Sequence, residues 1–162
     1  MSVSMRIGEF DEAALQAMAA QLAPLAREGG VIHLAGDLGA GKTTFARALL
    51  RALGVGERVK SPTYSLIESY RVGELEIHHL DLYRLADAGE LEWLGLQDLW
   101  TPSALLLIEW PERGAAALPA PDLALNLFHT DTRRALEAAA FSERGRTLLS
   151  HWALPKSSSG AV

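Results

Sequence analysis

At 162 residues and 49% hydrophobic content, the chain has enough apolar material for one domain with a sizeable core and too little length for two comfortable ones. The absence of cysteine excludes disulfide frameworks, Cys-ligated zinc and thiol nucleophiles, and a net charge of −5 withholds the cationic field that drives independent nucleic-acid binding, so any RNA contact is expected to be local or made through a partner. The longest apolar run, Ala104 to Ile108, is too short to span a bilayer and the N-terminus lacks a signal-peptide core, so the expectation is a cytoplasmic protein with no membrane segment.

In chain order, Asp11 is a fitting N-cap, with Phe10 placed to staple onto Leu15. Leu15, Met18, Ala19, Leu22 and Leu25 recur at helical spacing and predict a helix that buries one face and stops at Gly29-Gly30. Val31 to Ala35 is a short, mostly apolar run that reads as a buried strand. It leads into Gly36-Asp37-Leu38-Gly39-Ala40-Gly41-Lys42-Thr43, which fills every fixed position of G-x-x-x-x-G-K-[ST], and Thr44 to Leu53 follows as a helix ended by Gly54. This is the P-loop pattern. Its glycines let the backbone curl until successive N–H groups face inward as an anion nest, Lys42 can reach the outer phosphates, and Thr43 offers a hydroxyl to Mg²⁺. The strand before it and the helix after it, whose dipole also favours phosphate, separate this match from a glycine-rich turn that binds nothing.

Val55 to Lys60 reads as a polar connection, and Pro62 biases Ser61-Pro62-Thr63-Tyr64 toward an extended loop entering a strand. Tyr64 to Tyr70 and Leu75 to Leu82 form a hairpin across Val72-Gly73-Glu74, with Asp81 at a strand end and neither face of the second run cleanly apolar. Asp87 and Glu90 make a capping box for a short helix through Trp93 that Gly95 can terminate, and Trp93 and Trp100 read as core anchors. Ala104 to Ile108 is the best candidate for a central strand buried on both faces, ending in Glu109-Trp110-Pro111. Leu123, Leu125 and Leu127 alternate in a further strand, residues 133–140 are open between helix and hairpin strand, and Ser142 can cap a last helix toward Trp152. Residues 1–154 are thus expected to form one P-loop domain, and 155–162 a disordered tail. The fold class expected is a single α/β domain of P-loop NTPase type, a mixed sheet flanked by helices with the hairpin making part of it antiparallel.

Hydrolysis at a P-loop also needs a carboxylate to place Mg²⁺ and a group to orient water. Glu109 follows an apolar run as a Walker-B-type acid does, and Asp81 has the oxygen chemistry Mg²⁺ prefers; the competing reading of each is a solvated strand-end residue. Thr63 stands either in a plain turn or where switch loops of P-loop proteins meet the γ-phosphate and Mg²⁺. His78 and His79 are adjacent on a strand, point to opposite faces and are read as structural. Arg133, Arg134, Arg144 and Arg146 form a loose basic set, read as a solvated surface from which one member could approach nucleotide or partner.

Four blocks together resemble a known family: Gly36 to Thr44, Ser61-Pro62-Thr63-Tyr64, His79-Leu80-Asp81-Leu82-Tyr83-Arg84-Leu85, and Ile108-Glu109-Trp110-Pro111-Glu112-Arg113 look like, and occur in the order of, the bacterial TsaE family, also called YjeE. The resemblance implies a P-loop ATPase of the bacterial cytoplasm that binds ATP, ADP and Mg²⁺. It implies work with TsaB and TsaD, alongside TsaC, in making N6-threonylcarbamoyladenosine at adenosine 37 of tRNAs that read codons beginning with A. TsaD would carry the transfer chemistry, ATP hydrolysis would reset or drive the TsaB–TsaD complex, and tRNA would be met only through that complex. Carried over by motif, Gly36 to Thr44 cradle the nucleotide, Lys42 and Thr43 bind phosphate and Mg²⁺, Thr63 belongs to a switch-like loop, and Asp81 and Glu109 are the Walker-B-type and catalytic acids, with their order as metal ligands open. Tyr64 stands where many members have Phe. No clear arginine finger is visible, so hydrolysis by the chain alone is expected to be weak and partner-dependent. Two other functions compete: a small-molecule or nucleoside kinase, for which the Arg133–Arg146 set is only a faint lid, and a GTPase-like switch, disfavoured because none of Lys42, Lys60 and Lys156 sits in an Asn-Lys-x-Asp motif.

Overall fold

The computed structural model describes residues 3–62 and 65–152. The sheet is built around β5 (Leu105–Glu109), whose five residues are all buried, as an apolar run without alternation requires of a strand covered on both faces. It pairs in parallel with β2 (Gly30–Gly36) on one side and β4 (Leu75–Asp81) on the other. β4 turns back through Gly73-Glu74 to β3 (Ile67–Val72), its antiparallel partner. On the far side β2 pairs in parallel with β6 (Leu123–His129), and β7 (Arg134–Ala140) runs antiparallel between β6 and β1 (Val3–Phe10). The strand order is β1-β7-β6-β2-β5-β4-β3, a parallel core with two antiparallel pairings on one flank and one on the other.

Helices α1 (Glu12–Ala26), α2 (Lys42–Leu53) and α5 (Glu143–His151) cover one face, where Leu15, Leu22, Phe45 and Leu49 join Ile32, Leu34, Leu107 and Leu125 in the larger core. The second core lies opposite, with Leu80, Leu106 and Ile108 under Leu91 and Leu96 of the short helices α3 (Gly89–Trp93) and α4 (Leu96–Leu99). The helix ends are closed as the sequence predicts: Asp11 accepts from the Ala14 N–H at 2.9 Å, Ser142 Oγ accepts from the Gly145 N–H at 2.9 Å, and Gly54 takes the left-handed conformation at φ 113°. Arg144 ties α5 to the end of α1 by donating to the Leu25 and Gly29 carbonyls. Among the described residues, no helix is long and apolar enough to cross a membrane.

Several elements differ from expectation, each for a physical reason. β1 was not anticipated, because its alternation is broken at Gly8, where the register against β7 shifts, and of its residues Ile7 and Phe10 are the buried hydrophobic ones. Residues 134–140 are strand, since pairing with both β6 and β1 outweighs the helix propensity of Ala, Leu and Glu. β3 starts at Ile67, after Leu66, which has φ 67° and donates its N–H to the Pro62 carbonyl; Tyr64, where the run was expected to begin, lies outside the described residues. α1 ends at Ala26, short of Gly29-Gly30. The capping box is displaced by one residue: Asp87 accepts from the Gly89 N–H, and Glu90 accepts from the Ala86 N–H. Trp93 and Trp100 are not core anchors, for their side chains are 92% and 50% exposed. Leu91 fills that role, and Trp93, two positions on, lies about 200° round the helix from it. Residues 155–162, read as a tail, lie outside the described residues.

Burial shifts two imidazoles, that of half-buried His33 and that of buried His78. Burial pushes His33 below the ordinary histidine pKa, with the Pro119 carbonyl and Glu112 opposing it, and burial lowers His78 against the pull of Glu76. In the window between those lowered values and about 6.5, the unfolded chain binds more protons than the folded one. Stability is therefore full above the window and lost as pH falls through it. Chemical denaturation at pH 7.5 and 5.5 should show a lower midpoint in acid, and replacing both with Asn (H33N/H78N) should shrink that loss.

Candidate functional site

The P-loop leaves β2 at Gly36, which has φ +139° and approaches β6 so closely that a Cβ there would collide with the Leu127 carbonyl oxygen. Only glycine fits. Ala40 is buried and its N–H donates to the Asp37 carbonyl at 3.0 Å, pinning the loop to the core while Leu38 stands out at its rim. Gly41, at φ 113°, caps α2 without any side-chain hydrogen bond. The first amides of α2 therefore have neither an intrahelical partner nor a capping side chain, and with the helix dipole behind them they form a seat for an anion. Lys42 Nζ donates to the Gly36 and Asp37 carbonyls at 2.5 and 2.8 Å and lies 4.1 Å from the centre of the Trp110 ring. Burial pushes its ammonium below the ordinary lysine value, while Glu109, Glu112, Asp81 and Asp37 pull it back up. Thr44 borders the same cleft, with its hydroxyl 3.5 Å from Glu12 Oε1.

The parallel register of β4 and β5 sets Asp81 directly beside Glu109, each the last residue of its strand. Glu109 is buried, and its two oxygens have separate partners: Thr43 Oγ1 donates to Oε1 at 2.7 Å, and His79 Nε2 contacts Oε2 at 2.6 Å. Asp81 Oδ1 accepts from the Tyr83 N–H at 3.1 Å. Burial pushes the Asp81 carboxyl above the ordinary aspartate range; the Tyr83 N–H, His79 and Lys42 oppose the rise, and Glu109 adds to it. Two neighbouring carboxylates and a hydroxyl make a hard oxygen set suited to Mg²⁺. Among the described residues, no group of three or more His, Cys, Asp or Glu is placed to hold a metal ion.

These groups border one cleft of about 360 Å³. Of the residues expected from sequence, Leu38, Gly39, Gly41, Lys42, Thr43, Thr44, Asp81 and Glu109 line it, Gly36, Asp37 and Ala40 belong to the loop but not to the lining, and Thr63 lies outside the described residues. Tyr83 packs on Trp110 with ring centres 4.9 Å apart, and the Arg113 guanidinium sits 5.0 Å from the Tyr83 ring, giving the cleft an aromatic wall. Two further residues belong to the site. Arg134, placed by sequence in a solvated set, donates from Nη1 to the Gly39 carbonyl at 2.8 Å. His79, read as structural, contacts Glu109. The shared parity of His79 and Asp81 on one strand face was visible beforehand, but the approach of Arg134 depends on β7 pairing beside β6, which local sequence left open.

The family model described as threonylcarbamoyl adenosine biosynthesis protein TsaE matches residues 10–136. The chain belongs to the TsaE family. It is 43% identical over 120 residues to the protein named tRNA threonylcarbamoyladenosine biosynthesis protein TsaE of Haemophilus influenzae, covering 74% of this chain and 76% of that one. Its similarity to the Bacillus subtilis protein of the same name is 40% over 104 residues, covering 64% and 65% of the two chains. Among solved structures, the crystal structure of YdiB from Bacillus subtilis matches with a TM-score of 0.73 at 27% identity, over 94% of each chain. The TsaE match spans every site residue from Gly36 to Arg134.

The geometry separates two contributions to anion binding. Lys42→Ala should weaken binding of a fluorescent ATP analogue and leave the fold intact, because Lys42 bonds only to carbonyls of its own loop and to the Trp110 ring. Arg134→Ala should weaken it less, since the amide seat and Lys42 both remain. Equilibrium titration alongside thermal unfolding checks both.

Proposed function

We propose that the chain binds MgATP at this cleft and hydrolyses it, in the cytoplasm, as part of threonylcarbamoyladenosine formation at adenosine 37 of tRNA, acting with TsaB and TsaD. The observation that carries the reading is the convergence of Lys42, Thr43, Asp81 and Glu109 at one sheet edge beside an uncapped helix N-terminus. The α2 amides and Lys42 hold the phosphate chain. Thr43, Glu109 and Asp81 are the groups that would hold Mg²⁺, which when bound neutralises charge on the β- and γ-phosphates. Glu109, or Asp81 beside it, orients the attacking water. Arg134 already donates to the Gly39 carbonyl, so an arginine from a partner, worth about 10³–10⁵ in rate, would add to the charge at the cleft, and hydrolysis by the chain alone is slow. The names of the relatives support the tRNA pathway, and the acidic net charge supports reaching tRNA through the protein complex. A kinase reading gains no support from the arginines that would have to form its lid: Arg144 is tied to α1 and Arg134 to the P-loop.

Steady-state ATPase assays with parallel nucleotide-binding curves test the proposal. Glu109→Gln and Asp81→Asn should each depress turnover, Glu109→Gln by about 10²-fold, with far smaller effects on ATP affinity. Both variants should also fail to support tRNA modification in a system reconstituted with TsaB and TsaD. Near-parental turnover in both would remove the hydrolytic assignment, and transfer to an acceptor faster than release to water would favour the kinase.

A further inference from the structure

His79 is a fully buried, titratable side chain for which the proposed chemistry names no task. It sits on β4 opposite Leu107 of β5, two residues before Asp81, on the face that packs beneath α2, with the apolar Ile77 and Leu107 as its neighbours on that face. A leucine there would complete the core without a polar cost. An imidazole is instead buried with only one nitrogen bonded among the described residues: Nε2 meets Glu109 Oε2 at 2.6 Å, and Nδ1 has no partner there. An ionised carboxylate only accepts, so Nε2 carries the proton and donates it. Nδ1 is then the ring's bare lone pair.

We propose that His79 is a positioning residue for Glu109. Its N–H fixes Oε2, so that Oε1 is aimed at Thr43 and the cleft. The Thr43 hydroxyl, now donating to Oε1 at 2.7 Å, is the group a bound cation claims, and once it turns away the bond to His79 still sets the carboxylate's orientation. Glu109 thus keeps its aim through the exchange of its other partner. Outer partners of this kind typically change metal affinity or activity by about 10–100-fold when removed. The inference rests on the proposed function in one respect, that Glu109 acts on Mg²⁺ or water.

The test uses His79→Leu, His79→Gln and His79→Asn in the full chain. Gln can place an amide donor near the position of imidazole Nε2, whereas Asn is too short. A fluorescent ATP analogue is titrated with and without Mg²⁺, and ATPase rates are measured in parallel. His79→Leu should bind the analogue like the parent in the absence of Mg²⁺, gain less affinity when Mg²⁺ is added, and lose about 10–100-fold in kcat with KM little changed. His79→Gln should recover most of both losses, and His79→Asn should not. In the parent, ¹⁵N-resolved NMR of the imidazole should show a protonated Nε2 and an unprotonated Nδ1. A merely structural histidine would lower the melting temperature and leave the Mg²⁺-dependent gain and kcat unchanged. That result, equal rescue by Gln and Asn, or an Nδ1-protonated tautomer overturns the proposal. Should His79→Leu fail to fold, the Gln–Asn comparison and the parent's spectrum decide. Should the parent hydrolyse no ATP, the proposed hydrolysis falls, while the Mg²⁺-dependent gain and the tautomer still judge His79.

Discussion

Three parallel strands that end in step are the constraint on which the site depends. Leu34 of β2 pairs with Glu109 of β5, and Glu109 pairs with Asp81 of β4, so Gly36, Glu109 and Asp81 reach one sheet edge together. A shift of one residue between β4 and β5 would turn Asp81 to the opposite face. The chain leaves β2 into α2 at this same edge, which brings the helix N-terminus to the acids. Anion seat and carboxylates are therefore products of a single register, and neither could be moved without repacking Leu107 and Ile77 beneath them.

That register concentrates charge where water is scarce. Glu109 is 1% exposed and Asp81 8%, so charge at this edge is answered by neighbouring groups and not by bulk water. Each oxygen of Glu109 has a partner, Asp81 has the Tyr83 N–H, and Lys42 lies close enough for both acids to raise its pKa. Burial still leaves the Asp81 carboxyl above the ordinary aspartate range. On the proposed reading, a divalent cation held by these acids would answer both charges, and a phosphate ligand that arrives with a cation would be favoured over a bare polyanion beside two carboxylates.

The parts legible in the sequence are those whose chemistry is written in contiguous residues. The P-loop needs its glycines at fixed offsets, and the structure shows why: Gly36 is pressed against the Leu127 backbone, and Gly41 leaves α2 uncapped. β5 was legible because five apolar residues in a row suit only a doubly covered strand. What depended on distant pairing was not. β1 carries a weak pattern and owes its form to β7, while residues 134–140 have helical composition and are strand because two neighbours supply hydrogen bonds. Trp93 was misread because size and apolarity suggest a core residue, whereas in a one-turn helix Leu91 already occupies the inward position. Arg134 and His79 were missed as site residues for one reason: each acts through a neighbour brought by the sheet, the Gly39 carbonyl for one and Glu109 for the other.

The site residues divide by what they can do to a rate. On the proposed reading, the α2 amides would meet a phosphate chain before and after cleavage of its terminal bond, so their contribution would be largely to affinity. Glu109, Asp81 and Lys42 would bear on groups whose charge changes during cleavage, and only such differential contacts lower a barrier. All three are held in place, with both oxygens of Glu109 bonded, Asp81 tied to the Tyr83 backbone, and buried Lys42 donating to the Gly36 and Asp37 carbonyls. Rigidity belongs where reorganisation would subtract from the rate. Strand-borne acids facing a lysine on the first turn of α2 are therefore the arrangement that the proposed hydrolysis calls for, and it runs through the sheet edge that the parallel register creates.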